Sequence, residues 1–138
     1  MADLGYGTDL SCSNDLLETM DVVDPFSTRA IAEATTRRLS TPKGGLIDDA
    51  SYGKDLREYL NSGTTETELR AIESEIRTEV EQDDRIESAA IVVTFDGSAA
   101  SALMRVSIRI LPVDPSLGAF TMILTATSAD VVLEAMAA

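Results

Sequence analysis

The chain predicts an α+β fold, three helices packed on a small three-stranded antiparallel sheet, forming one domain over residues 24–138 behind an extended N-terminal arm, residues 1–23. Three observations carry this. Up to Val80 apolar residues recur at three- and four-residue spacing, the period of a helix buried on one face; beyond Arg85 they alternate, the period of a strand. The alternating runs are joined by connections too short for a crossover helix, which implies an antiparallel meander with the helices on its apolar side. A chain of 138 residues, 44% of them hydrophobic, suits a single core, since at this size roughly two-thirds of the unfolded surface is buried on folding.

The arm carries Asp3, Asp9, Asp15, Glu18 and Asp21 and no Lys or Arg, the composition of a solvated acidic segment. Its pairs Leu16-Leu17 and Val22-Val23 offer docking points on the domain or on a partner. Asp24-Pro25 predicts the first helix start: Asp accepts from first-turn amides, and Pro at the first helical position has no amide to leave unpaired. This helix should run to about Leu39 with Phe26, Ala30, Ile31 and Ala34 as its apolar stripe and Arg37-Arg38 at its carbonyl end. Thr41-Pro42 stops it, because a residue before Pro is pushed out of the helical region.

A loop, Lys43 to Asp49, then leads to a second helix from about Ser51 to Leu60, read from Tyr52, Leu56 and Leu60 at four-residue spacing and ended by Asn61-Ser62-Gly63. The third helix is opened by a capping box, Thr65 with Glu68. Leu69, Ile72, Ile76 and Val80 form its core stripe, and Glu66/Arg70 and Glu73/Arg77 are ion pairs one turn apart. The strands follow. Ile91, Val93 and Phe95 alternate with Val92 and Thr94 up to an Asp96-Gly97 turn; Met104, Val106, Ile108 and Ile110 alternate with Arg105, Ser107 and Arg109, one face buried and the other wet and cationic. Phe120, Met122 and Leu124 make the third strand. The tail from Ser128 fits either a short helix capped by Ser128 and carrying Val131, Val132, Leu133 and Met136, or the extension of a strand by the β-branched pair Val131-Val132.

Composition narrows the chemistry. With no histidine, the usual general base at neutral pH and every Ser-His-Asp or Cys-His arrangement are excluded, and a lone Cys12 forms neither an internal disulfide nor a thiolate cage. The balance of 24 acidic to 11 basic side chains, net −13, argues against a nucleic-acid partner, whose phosphates need clustered cations. No membrane span is expected, because the longest charge-free stretch, Pro115 to Ala129, is interrupted by Gly118 and hydroxyl residues. No basic, apolar leader opens the chain, so a soluble cytosolic product is the default expectation. Asp48-Asp49 and Asp83-Asp84 are paired acids, but each falls at a turn where Asp is favoured, and neither has the ligand spacing of a calcium loop. Lys43-Gly44-Gly45 lacks the Gly-Lys-Ser/Thr of a phosphate loop. Arg37, Arg38 and Lys43 form a small cationic patch that suits an acidic protein surface or simply a helix C-terminus. No catalytic residue, cofactor or metal is expected.

The order Thr41-Pro42-Lys43-Gly44, then Asp48, then Tyr52-Gly53 and Leu56, resembles the hallmark stretch of the baseplate wedge, or sheath-initiator, family of contractile phage tails, whose relatives serve in type VI secretion and contractile injection systems. Asp83-Asp84-Arg85-Ile86 resembles that family's Glu-Pro-Arg-Ile turn ahead of a small sheet, with Asp84 in place of Pro; Ala50 likewise replaces a Pro of the loop. The early Gly7-Thr8-Asp9-Leu10 is similar to the start of many members. The resemblance implies a structural, non-enzymatic component of a virion tail baseplate, present in the host bacterial cytoplasm during assembly. It would dock on wedge core proteins and nucleate the tail sheath by strand addition, in several copies, six in the particle, with tube or hub proteins as further neighbours. It assigns protein-interface roles to Arg85, oriented by Asp83, and to Arg105 and Arg109, while Thr41, Pro42, Gly44, Asp48, Tyr52, Gly53 and Leu56 shape the motif. A regulatory module, similar to a bacterial anti-adaptor of the same fold, would share the helices and sheet without needing an addable edge.

Overall fold

The structure, a computed structural model, describes residues 9–10, 22–23, 27–60, 65–96 and 103–137. Two short strands, β1 (Asp9–Leu10) and β2 (Val22–Val23), pair antiparallel. Two α-helices follow, α1 (Thr28–Ser40) and α2 (Glu66–Val80), and then a four-stranded antiparallel sheet of β3 (Ile86–Asp96), β4 (Leu103–Pro112), β5 (Phe120–Ala126) and β6 (Val131–Ala137) in sequential order. Cys12, Leu16, Leu17, the Asp24-Pro25 cap, Phe26, the Asn61-Ser62-Gly63 stop and Gly97 lie outside the described residues.

The predicted three helices on three strands are corrected to two helices on four strands. Residues 51–60 hold only a single 3-10 turn, Leu56–Tyr59, because their backbone groups are engaged elsewhere. The Gly53 amide donates to Glu79 of α2 (2.8 Å), and the Lys54 amide donates to the carbonyl of Arg38 at the end of α1 (3.0 Å). Gly53 itself has φ +102°, a left-handed conformation no helix accepts. The four-residue apolar spacing is still used, since Leu56 is fully buried and Leu60 packs beside it, but a turn and an extended approach deliver these side chains.

The tail resolves as strand rather than helix. Thr127 and Asp130 exchange backbone hydrogen bonds (2.8 and 3.3 Å), closing a tight hairpin at Ser128-Ala129, so Ser128 is a turn residue and not a helix cap. Val131 and Leu133 then extend the apolar face of β5, and the pairing shifts register by a bulge between Ile123 and Leu124.

α1 starts one turn later than Asp24-Pro25 suggested: Ser27 is its cap, accepting from the Ala30 amide (3.4 Å). It ends at Ser40, with Thr41 extended ahead of Pro42. α2 has the Thr65/Glu68 capping box in both directions. Its apolar stripe, Ile72, Ile76 and Val80, joins Ile31 and Leu39 of α1 over the buried row of β4, Met104, Val106, Ile108 and Ile110. Both helices therefore lie on one face of the sheet.

Gly53 is the tightest point of the chain. A Cβ there would stand 2.4 Å from the carbonyl oxygen of Thr41, whereas at Gly44, also left-handed at φ +86°, it would meet nothing within 4 Å. Gly53→Ala is expected to destabilise the domain by about 2–4 kcal/mol, strain plus displacement of the Thr41 peptide, and Gly44→Ala by only about 1 kcal/mol. Urea denaturation of the two variants measures the contrast; equal midpoints would remove the close-approach argument.

Candidate functional site

The motif residues converge on the loop between α1 and the 3-10 turn, and a residue absent from the expected site holds them there. Glu79, on α2, is 3% exposed. Its Oε1 accepts from the Gly53 amide (2.8 Å) and from Arg38 Nη1 (3.1 Å), and Lys43 Nζ stands 3.8 Å from its Oε2. A buried carboxylate is tolerable only when its oxygens are paired, and here the donors come from α1 and both limbs of the loop. The Arg38 guanidinium also lies 4.4 Å above the Tyr52 ring, a cation–π contact that sets Tyr52 against the helix end. Thr41 turns its hydroxyl to the carbonyl of Arg37 (2.7 Å), and Gly45 closes a turn on the carbonyl of Pro42 (2.9 Å). Thr41, Pro42, Tyr52, Gly53 and Leu56 thus shape one strapped loop, while Gly44 and Asp48 are exposed on it. At the loop tip Ile47 is 98% exposed. Lys54 adds a second strap, 3.7 Å from Glu75 and 5.2 Å above the Tyr59 ring, whose hydroxyl donates to Glu75. Burial, and then that hydrogen bond to an anion, push the Tyr59 hydroxyl far above its ordinary pKa.

Asp83 and Arg85 form a corner between α2 and β3. Asp83 Oδ1 accepts from the backbone amide (3.0 Å) and Nε (2.9 Å) of Arg85, and Oδ2 from its Nη2 (2.7 Å), a fork that fixes the guanidinium plane. The side chains are 10% and 23% exposed. Desolvation alone would raise the Asp83 carboxyl, but the Arg85 hydrogen bonds and charge, helped by Arg38, hold it below the usual carboxylate range. Asp55 and Arg57 repeat this Asp-x-Arg geometry, and Asp55 is lowered in the same way against its burial.

Arg105 and Arg109 stand apart from that corner, exposed on the sheet face opposite the helices. The register puts them in rows: Ala90, Arg109, Thr121 and Ala137; Val92, Ser107, Ile123 and Ala135; Thr94, Arg105, Thr125 and Val132. Arg109 Nη1 donates to Thr121 (3.1 Å).

The two outer strands differ. The β3 amides of Ala89 and Val93 donate to α2 carboxylates, Glu81 (3.1 Å) and Glu73 (3.0 Å), so α2 closes this edge. Glu73 is therefore not the partner of Arg77, which pairs with Glu81 (3.1 Å) instead; the expected Glu66/Arg70 pair is present at 2.6 Å. β6 pairs on one side only among the described residues. Sequence reasoning missed Glu73, Glu79 and Glu81 as anchors. The signal for Glu79 was its place three residues after Ile76, on the apolar stripe. Among the described residues no group of three or more Cys, Asp or Glu is placed to hold a metal, and no helix is long and apolar enough to cross a membrane.

Glu79→Ala strands the Gly53 amide and Arg38, so a loss of about 2–4 kcal/mol is expected, with faster hydrogen exchange at Gly53 and Lys54; unchanged exchange there would refute the strap. For Asp83, a lowered folded-state pKa stabilises the fold above the unfolded carboxyl pKa of about 3.9, and that contribution fades as pH falls through the folded value. Asp83→Asn should be less stable than the parent chain at pH 7, with the gap narrowing towards pH 2 in thermal melts. No protein-family model and no curated protein matches this chain.

Proposed function

We propose that the protein is a non-enzymatic assembly component of a contractile-tail baseplate. It docks on the wedge core through the Asp83–Arg85 corner and offers a sheet edge on which the first ring of sheath subunits adds a strand. The observation that carries this reading is the asymmetry of the sheet: α2 carboxylates close the β3 edge, while the seven-residue β6 has no strand on its far side among the described residues. Strand addition uses main-chain hydrogen bonds and needs one accessible edge; a closed opposite edge keeps the unit from polymerising in both directions. The corner supports docking differently, by presenting a guanidinium already oriented by its carboxylate, so little rotamer entropy is lost on contact.

Neighbouring genes for sheath, tube and wedge proteins are expected. In a density map of the assembled particle a sheath strand should pair with β6, with six copies per baseplate; a β6 edge facing solvent there would overturn the reading. Because Asp83 is nearly buried, Arg85→Glu would oppose two carboxylates and unsettle the fold, so Arg85→Lys is the cleaner probe. It keeps the charge and loses the fork: incorporation into baseplates should drop while the melting temperature of the isolated chain moves by only a few degrees, roughly 1 kcal/mol. Normal incorporation by that variant counts against docking at the corner.

A further inference from the structure

The outer face of the sheet is odd for this protein. Both helices pack on the other face, and an antiparallel sheet with one wet face ordinarily carries polar residues there. In a chain with 24 acidic residues, that face should share the excess. Yet none of its three full rows contains Asp or Glu, and the middle strand supplies two arginines. Acids appear only at the margin: Asp96, beyond Thr94, and Glu87 and Glu134, which the two bulges leave without register partners. The middle row is apolar apart from Ser107, and Val92 is 58% exposed. Thr125 is only 6% exposed, and its hydroxyl makes no hydrogen bond among the described residues, a buried polar atom still wanting a partner. A hollow of about 410 Å³ at one end, lined on this face by Ala90, Arg109 and Leu111, reaches round the β3 edge to Ala89 and to Arg77 of α2.

We infer that this face is the docking surface for an acidic amphipathic α-helix of a partner protein, whose carboxylates meet Arg105 and Arg109 and whose apolar stripe covers Val92 and Ile123. The inference deepens the assembly role proposed above and rests on it for the kind of partner. A helix is the occupant because it satisfies its own peptide groups, whereas an extended segment laid across a sheet face would leave its amides dry and unpaired. Acidity follows from charge complementarity. Phosphate-rich ligands share the sign but are repelled by the net −13, while a helix brings only a few localised charges. The spacing also fits. Four residues along β4 separate the arginines by about 13 Å, and carboxylates two turns apart on a helix are about 10.5 Å apart, a difference that the flexible arginine stems absorb.

The test uses the full chain, labelled with nitrogen-15, and a designed 15-residue helical peptide bearing Glu at positions i and i+7 beside a Leu stripe. Saturable shifts are expected at the amides of Val92, Ser107, Ile123 and Ala135, weakening as salt is raised. The double variant Arg105→Glu/Arg109→Glu should bind at least tenfold more weakly and should regain binding to a peptide with Lys in place of Glu. Both arginines are exposed, so the variant's unchanged spectrum elsewhere reports its fold. Shifts outside this face, equal affinity for parent and variant, or equal binding of the Lys peptide by the parent chain would each overturn the inference. No tail protein enters the assay, so a failure here is distinct from absence of the chain from baseplates.

Discussion

A single buried carboxylate organises the helical half of this domain. Glu79 sits on the apolar stripe of α2, where an unpaired charge would be strongly unfavourable, and it is accommodated because Arg38, Lys43 and the Gly53 amide converge on it. Those three groups belong to the end of α1 and the two limbs of the loop that follows. Satisfying one anion therefore ties α1, α2 and the loop together. It also explains why Gly53 must lie so close to Thr41 and why the chain beyond it cannot start a helix until its amides are released at Leu56.

The same helix uses two further acids on the sheet. Glu73 and Glu81 accept from outward amides of β3 and so occupy an edge that would otherwise invite another strand. An acid excess that looks like a solvated surface in the composition is thus partly internal wiring. Its counterpart is the far face of the sheet, whose three full rows hold no acid and where Arg105 and Arg109 stand in an apolar and hydroxyl-bearing field. One edge closed by α2 carboxylates, one edge with no strand beside it among the described residues and one face bearing two arginines make the surface of the domain directional.

Much of the fold was legible locally. The capping box at Thr65, the period change near Arg85 and the buried alternation of β4 depend on neighbours a few residues away, and each is found where the pattern put it. The Asp83–Arg85 pair was legible for the same reason, as an Asp-x-Arg turn whose partners are two residues apart. The second helix was misread because Tyr52, Leu56 and Leu60 have helical spacing while the competing bonds to Arg38 and Glu79 come from 16 and 26 residues away. Glu73 was paired with Arg77 on the helix surface because a bond to Val93, 20 residues on, leaves no local trace.

The sequence by itself determined the capping box that opens α2, the strand periods, the exclusion of histidine and multi-cysteine chemistry, and the sign of the net charge. Only the tertiary structure decided that the tail is a fourth strand, that the loop is strapped to Glu79, and which sheet edge α2 closes. The division has one physical cause. Propensity and periodicity act over a turn or two of chain, whereas the hydrogen-bond demands of a buried carboxylate or an edge amide are met by whichever groups the packed core brings within about 3 Å.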